Sequence, residues 1–330
     1  MNFKPILIVH GEPNSIFLEI FFKTIRYKKF KSPLVLIGSY KILKFQMKKL
    51  KFRMDVKLID PSLLNKIKLN NKTINIIDIN YNKNINFQKI SSKSNNYIKD
   101  CFETSFKILK SGITNKLING PVSKKSFLNK KFLGITEYLA NKTKVNHNVM
   151  LIYNKKLSVS PITTHLPLKL VAKKITKRKI IKNITLIDSF YKKNFGFSPK
   201  IAVIGLNPHC ESIDKFNEDK KIILPAIKSL KKSKINIRGP LSADTIFTKS
   251  NREKYDLIVG MYHDQVLTPI KTLNKSNLKV SGPFAADTIF LKKNRKKYKV
   301  VVGMYHDQVL TPIKTLFEYD AINITLGLPF

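Results

Sequence analysis

An α/β fold with parallel strands is what this sequence predicts, on three observations. Short β-branched runs alternate with longer amphipathic segments along the whole chain. Several of those runs end in small or polar residues, as strands do when their carboxyl ends open into loops. At 330 residues, 43% hydrophobic and 25% charged, the chain has ordinary globular composition but is too long for one small module. One large two-lobed unit or two domains is therefore expected. Collagenous, coiled-coil and bulk-disordered classes are excluded, because the apolar residues come in short runs split by turn residues.

Taken in order, the strand candidates begin with 5–9, Pro5-Ile6-Leu7-Ile8-Val9, which runs into His10-Gly11. Residues 33–37 follow, then 116–119, leading into Gly120-Pro121. Residues 148–153 form the next apolar run, and 201–205 leads into Leu206-Asn207-Pro208-His209. The last two are 256–260, leading into Met261-Tyr262-His263, and 299–303. Ligands in open α/β sheets bind outside the carboxyl ends of strands, so chemistry is expected at these exits. No GxGxxG opens a helix and no P-loop occurs, which leaves a conventional Rossmann dinucleotide site unsupported.

An internal repeat organises the C-terminal third. Residues 239–273 and 282–316 are offset by 43 and differ at 8 of 35 positions. Solenoids need about three or more copies to bury a continuous core, whereas two nearly identical copies inside an unrelated chain read as a tandem duplication. Only one copy can fill a sheet position that evolved for one strand. The other becomes an insertion, tolerated at modest loop-closure cost. After the second copy the chain stops with an apolar pattern at Phe330, and a truncated end is expected.

The formal net charge of +41 raises a nucleic-acid partner as one reading, since basic residues neutralise phosphates and release counterions. Of 62 basic residues, however, only Arg26, Arg53, Arg178, Arg238, Arg252 and Arg295 are arginine, the residue suited to bidentate contacts. Lysine is spread evenly among Asn and Ile, as an AT-rich codon bias would leave it on exposed positions, so no nucleic acid is expected as partner. No apolar stretch reaches the roughly 18–20 residues of a membrane span, and Met1–Lys4 opens no signal-peptide pattern, so a cytoplasmic protein without membrane contact is expected. Two cysteines, Cys101 and Cys210, fit a reducing compartment and offer no CxxC metal pair.

Four of the six histidines follow or flank apolar runs: His165 in TTHLP, His209 in NPH, and the repeat-related His263 and His306 in YHDQ. Three neutral imidazoles can form a Lewis-acid metal site, and the competing reading is hydrogen-bonded loop histidines. His10 and His147 receive no role. Asp264 and Asp307, beside the repeat histidines, can orient an imidazole or bind a substrate hydroxyl, while Asp244 and Asp287 read as helix caps. Lys124 and Lys125 are candidates for phosphate or, in so lysine-rich a chain, plain surface. Lys271 and Lys314 each lie eight residues after a repeat histidine, beyond an apolar run, and are better placed.

The motifs GEPNSI, NGPVSKKSF, GITEYLA, TTHLPL, GLNPHCES, GPxxADTIF, GMYHDQ and NITLGLPF occur in an order that resembles the 4-hydroxythreonine-4-phosphate dehydrogenase family of vitamin B6 biosynthesis, from about residue 5 to residue 330. The resemblance implies a two-lobed fold like the isocitrate and isopropylmalate dehydrogenases, with a non-Rossmann NAD or NADP site. On this fold residues 1–130 plus 317–330 form a first lobe, and 131–316 a second that carries the histidines and the duplication. It also implies a homodimer with its active site at the subunit interface. His165, His209 and one of His263 and His306 match metal ligands for one divalent ion, Zn, Mg or Co. Thr136, Asn323 and one of Lys271 and Lys314 match substrate contacts. The second copy is favoured for the site, because His306, Lys314 and Asn323 keep their natural spacing. The implied reaction oxidises 4-phosphooxy-threonine to a β-keto acid, which decarboxylates to 3-amino-2-oxopropyl phosphate. Ile135 stands where the family often has His, the GEPNSI turn lacks further glycines, and the Arg and final helical segment expected after GLPF are absent. An impaired homologue, a related diol dehydrogenase and a basic nucleic-acid-binding protein are the alternatives.

Overall fold

The computed structural model describes residues 3–83, 89–129, 131–132, 134–145, 147–164, 166–212, 216–273, 290 and 306–317. The chain divides into two compact units, Met1–Asn146 and His147–Phe330.

The first unit is a five-stranded parallel sheet in the order β3-β4-β2-β1-β5. Its strands are β1 (Ile6–Val9), β2 (Leu34–Gly38), β3 (Val56–Leu58), β4 (Ile74–Asp78) and β5 (Leu117–Asn119). Helix α1 (Phe17–Tyr27) buries Leu18, Phe21 and Phe22, a spacing of three and four residues that forms one apolar stripe. Helix α2 (Tyr40–Lys49) starts at Ser39, whose hydroxyl accepts from the Ile42 amide, and buries Ile42, Leu43 and Met47. Helix α3 (Asn95–Lys110) buries Ile98, Cys101 and Phe102. Each such side chain contributes roughly 1.5–3 kcal/mol on leaving water. Helix α4 (Ile135–Lys142) packs Tyr138 edge-on to Phe102, Phe127 and Phe132 within the same apolar core.

The second unit holds a parallel sheet in the order β6-β9-β7-β8. Its strands are β6 (Ser158–Thr163), β7 (Ile201–Ile204), β8 (Ile237–Leu241) and β9 (Leu257–Tyr262). Both faces are covered, as parallel sheets require. Ile201, Val203, Leu257, Val259 and Met261 join one apolar cluster, while Ala202, Ile204 and Ile258 join the other, following the two-residue period of a strand. Around the sheet lie α5 (Leu168–Lys174), α6 (Lys177–Phe195), α7 (Leu224–Lys232), the short α8 (Lys249–Arg252), α9 (His263–Leu273) and α10 (His306–Phe317). Thr176 caps α6 through the Lys179 amide, and Gly196 ends it with φ +79°.

Two expectations change. Residues 148–153 form no strand; only Ile152 bridges Val159, in antiparallel sense. The central strand β9 belongs to the first copy of the repeat, not the second. One residue that differs between the copies suits the first to this place. The Asp256 carboxylate accepts the Lys200 amide at 2.8 Å while the Asp256 amide donates to the Lys200 carbonyl at 2.9 Å, clamping the start of β9 beside β7. The second copy carries Lys299 at that place, which cannot accept a hydrogen bond. Residues 299–303 lie outside the described residues. Helix α10, the second copy of α9, packs against α9.

Candidate functional site

The carboxyl ends of β7, β8 and β9 are neighbours on one sheet edge, and the second unit's polar groups gather there. After β7 the chain turns through Leu206 and Asn207 into His209. The turn is held by Asp219, wholly buried, whose carboxylate accepts from the Leu206 amide (2.7 Å), the Asn207 amide (3.1 Å) and the Asn207 side-chain amide (3.0 Å). His209 and Cys210 sit at φ +55° and +62°. Such backbone costs of order 1 kcal/mol or more for residues with a Cβ and persists only where surroundings enforce it. Gly205, at the exit of β7, is required for a spatial reason: a Cβ there would lie 2.6 Å from Asp219 Oδ1 and 2.7 Å from Cys210 Sγ.

After β8 comes Asp244, 1% exposed. It is not the helix cap that its sequence context suggests, since α8 begins later, at Lys249. Its carboxylate instead collects three partners. Ser242 Oγ donates to Oδ1 at 2.5 Å, Lys314 Nζ lies 2.5 Å from Oδ2, and His209 Nδ1 lies 3.9 Å from Oδ2 and 3.4 Å from Ser242 Oγ. Burial pushes the Asp244 carboxyl up, but the Lys314 and Ser242 hydrogen bonds and the Lys314 and His209 charges together hold it below the ordinary carboxylate range. It is an anion with its cation in place. After β9 comes His263, whose Nδ1 lies 2.7 Å from Asp264 Oδ1. Gln265 ties β9 to β7: it accepts from the Met261 amide and donates to the Gly205 carbonyl, both at 2.8 Å, and reaches Asp307 of α10 at 3.4 Å. Burial and the Asp219 charge push the Cys210 thiol up to about 11, so no thiolate forms there at neutral pH.

Of the site residues expected from the sequence, His209 and Lys314 are thus brought together around Asp244, which the sequence suggests only as a helix cap, with His263 beside Asp264 at the next strand end. Thr136 lies in the first unit, in the first turn of α4. His165, Asn323 and Asp287, and the side chains of Lys271 and His306, lie outside the described residues. Among the described residues no three of His, Cys, Asp and Glu lie close enough to hold a metal ion. The donor chemistry still suits one, because an imidazole whose Nδ1 meets a carboxylate is held in the tautomer that ligates through Nε2. Ser242, Asp219 and Gln265 were not legible as site residues, since a lone Ser, Asp or Gln carries no spacing signal.

The first unit has its own polar knot at the ends of β1 and β2. The Ser39 amide donates to Tyr97 Oη (2.9 Å), which lies 2.8 Å from His10 Nδ1. Glu12, also buried, accepts from Ser94 Oγ at 3.2 Å. A groove of about 550 Å³ lined by Phe21, Ile25, Leu34 and Ile74 lies at the opposite, amino-terminal edge of β2 and β4, away from these groups.

Comparison with known proteins bears on what this edge does. The family model described as pyridoxal phosphate biosynthetic protein PdxA matches residues 29–277 and again 270–330, a break that falls inside the duplication. A 4-hydroxythreonine-4-phosphate dehydrogenase of Sulfurihydrogenibium sp. is 37% identical over 270 residues, 80% of this chain and 81% of that protein. Its namesake from Bradyrhizobium diazoefficiens is 36% identical over 169 residues, 49% of either chain. Among solved structures, the 4-hydroxythreonine-4-phosphate dehydrogenase of Klebsiella pneumoniae superposes with a TM-score of 0.70 at 26% identity, covering 82% of this chain and 85% of that one. With matches of this length and a parallel α/β scaffold that superposes on theirs, the chain belongs to the PdxA family, that of the 4-hydroxythreonine-4-phosphate dehydrogenases.

Proposed function

We propose that this chain oxidises 4-hydroxythreonine-4-phosphate with NAD or NADP to a β-keto acid that decarboxylates to 3-amino-2-oxopropyl phosphate, a step of vitamin B6 biosynthesis in the cytoplasm. The observation that carries this reading is the buried Asp244 carboxylate held between Lys314, Ser242 and His209 at the strand ends. A fixed anion beside an ammonium and an imidazole suits an anionic hydroxy acid: Lys314 meets a negative group of the substrate, and Asp244 holds that ammonium charged and aimed. His165, His209 and one of His263 and His306 would hold a divalent ion such as Zn, Mg or Co, which supplies Lewis-acid polarisation of the substrate hydroxyl and of the carbonyl it becomes. Asp264, on His263 Nδ1, fixes that imidazole's tautomer. Asp219 holds the His209 turn against its unfavourable backbone angles. Thr136 and Asn323 complete the substrate contacts. The two units correspond to the lobes of an isocitrate dehydrogenase-like fold, and the active molecule is a homodimer whose sites use both subunits.

The test is turnover of purified protein with 4-hydroxythreonine-4-phosphate, NAD or NADP and added divalent metal, followed by reduced nicotinamide absorbance and released carbon dioxide. Both products should rise together and stop on chelation. Reduced nicotinamide without carbon dioxide points to a diol-type dehydrogenation instead, and no turnover with any metal removes the reading.

A further inference from the structure

The duplication places two equivalent lysines in one chain, and the described contacts at the strand ends join residues of both copies. The sheet strand β9, the Asp256 clamp and Asp244 all come from the first copy. Yet the ammonium on Asp244 is Lys314, from α10 of the second copy, 70 residues away in sequence. Helix α10 is held by further contacts with the first copy. It packs on α9, its Asp307 meets Gln265 of the first copy, and Thr311 and Thr315 on the same side are buried. Lys314 itself is about one-third exposed, so its ammonium bonds a buried carboxylate while still facing water. A lysine ammonium has three donors, of which Asp244 takes one and leaves others for an anion.

We propose that the site is a hybrid of the two copies. The first copy supplies the strand and the positioning carboxylate Asp244. The second supplies the anion-binding lysine, so that Lys314 rather than Lys271 holds the negatively charged group of the substrate. The ligand half of this proposal rests on the dehydrogenase reading above; the pairing of Asp244 with the second copy does not.

The experiment uses the full chain with Lys314→Ala, Lys314→Arg, Lys271→Ala and Asp244→Asn. In steady-state kinetics with 4-hydroxythreonine-4-phosphate, Lys314→Ala should raise KM by about tenfold or more, the loss of one charge-assisted contact, while kcat changes far less. Lys314→Arg should recover part of that loss, which a merely structural lysine would not show. Lys271→Ala should raise KM at least about fivefold less than Lys314→Ala does. An equal or larger KM effect at Lys271 overturns the hybrid. Thermal melts decide the pairing even in a chain that turns over nothing. The Tm loss from Lys314→Ala should shrink in an Asp244→Asn background, and that from Lys271→Ala should not. Additive losses for Lys314 and Asp244, or coupling of Asp244 to Lys271 instead, overturn the proposal. Coupling to Lys314 without turnover supports the hybrid and removes only the activity.

Discussion

His10 shows how a single buried group sets the pH response of the first unit. Burial lowers its pKa from 6.5 to about 4. The unfolded chain therefore takes up a proton below pH 6.5, and the native state only below about 4. Stability from this residue is full above pH 6.5 and declines as the pH falls toward 4, by up to about 3 kcal/mol at ~1.4 kcal/mol per unit. Urea midpoints measured at pH 7 and pH 4.5 should differ more for the wild type than for His10→Gln; parallel slopes would contradict the assignment. In the second unit, Ser242 donates at 2.5 Å to a carboxylate that is 1% exposed. Ser242→Ala should cost about 1.5–3 kcal/mol in chemical denaturation, as for other hydrogen bonds to charged groups, and a loss under 0.5 kcal/mol would show the bond to be dispensable.

Individual elements explain why some of the fold was readable and some was not. Strands β1, β2, β7 and β9 are uninterrupted apolar runs and stand out from sequence alone. Strands β6 and β8 carry no clear strand pattern in the sequence because each contains proline, Pro161 and Pro240, and both lie at the edges of their sheet, where a missing amide is tolerated. Strand β3 is three residues long, also at an edge, and β4 is masked by its asparagine. At the site, the histidine and the lysine stood out by following apolar runs, whereas the role of Asp244 depends on a contact across 70 residues that no local pattern encodes. The junction of β1 and β5 gives an element-level prediction. A Cβ on Gly120 would lie 2.0 Å from the His10 carbonyl oxygen, while one on Gly112 would meet nothing within 4 Å. Gly120→Ala should therefore cost about 3 kcal/mol or prevent folding by parting the strands. Gly112→Ala, at φ +77°, should cost only the ~1–2 kcal/mol of a left-handed backbone. Equal melting temperatures for the two variants would refute the close approach.

The whole molecule carries +41 formal charges, and no described helix is long and apolar enough to cross a membrane. Charge of this size attracts polyanions without reading them. The chain should be retained on DNA at about 50 mM salt, be released by about 200 mM, and show no sequence preference; retention that survives higher salt or discriminates between sequences would favour a nucleic-acid partner. The Lys314–Asp244 contact has a further consequence on the time scale of descent. Helices α9 and α10 begin as identical text, HDQVLTPIKTL. If one helix is kept for the histidine that follows its strand and the other for its lysine, purifying selection acts on different letters of each. His263 and Lys314 are then held while His306 and Lys271 drift, so sister lineages carrying the same duplication should show two halves that have each forgotten what the other remembers. Once that divergence has occurred, neither copy can be deleted, and an accidental doubling has become irreversible.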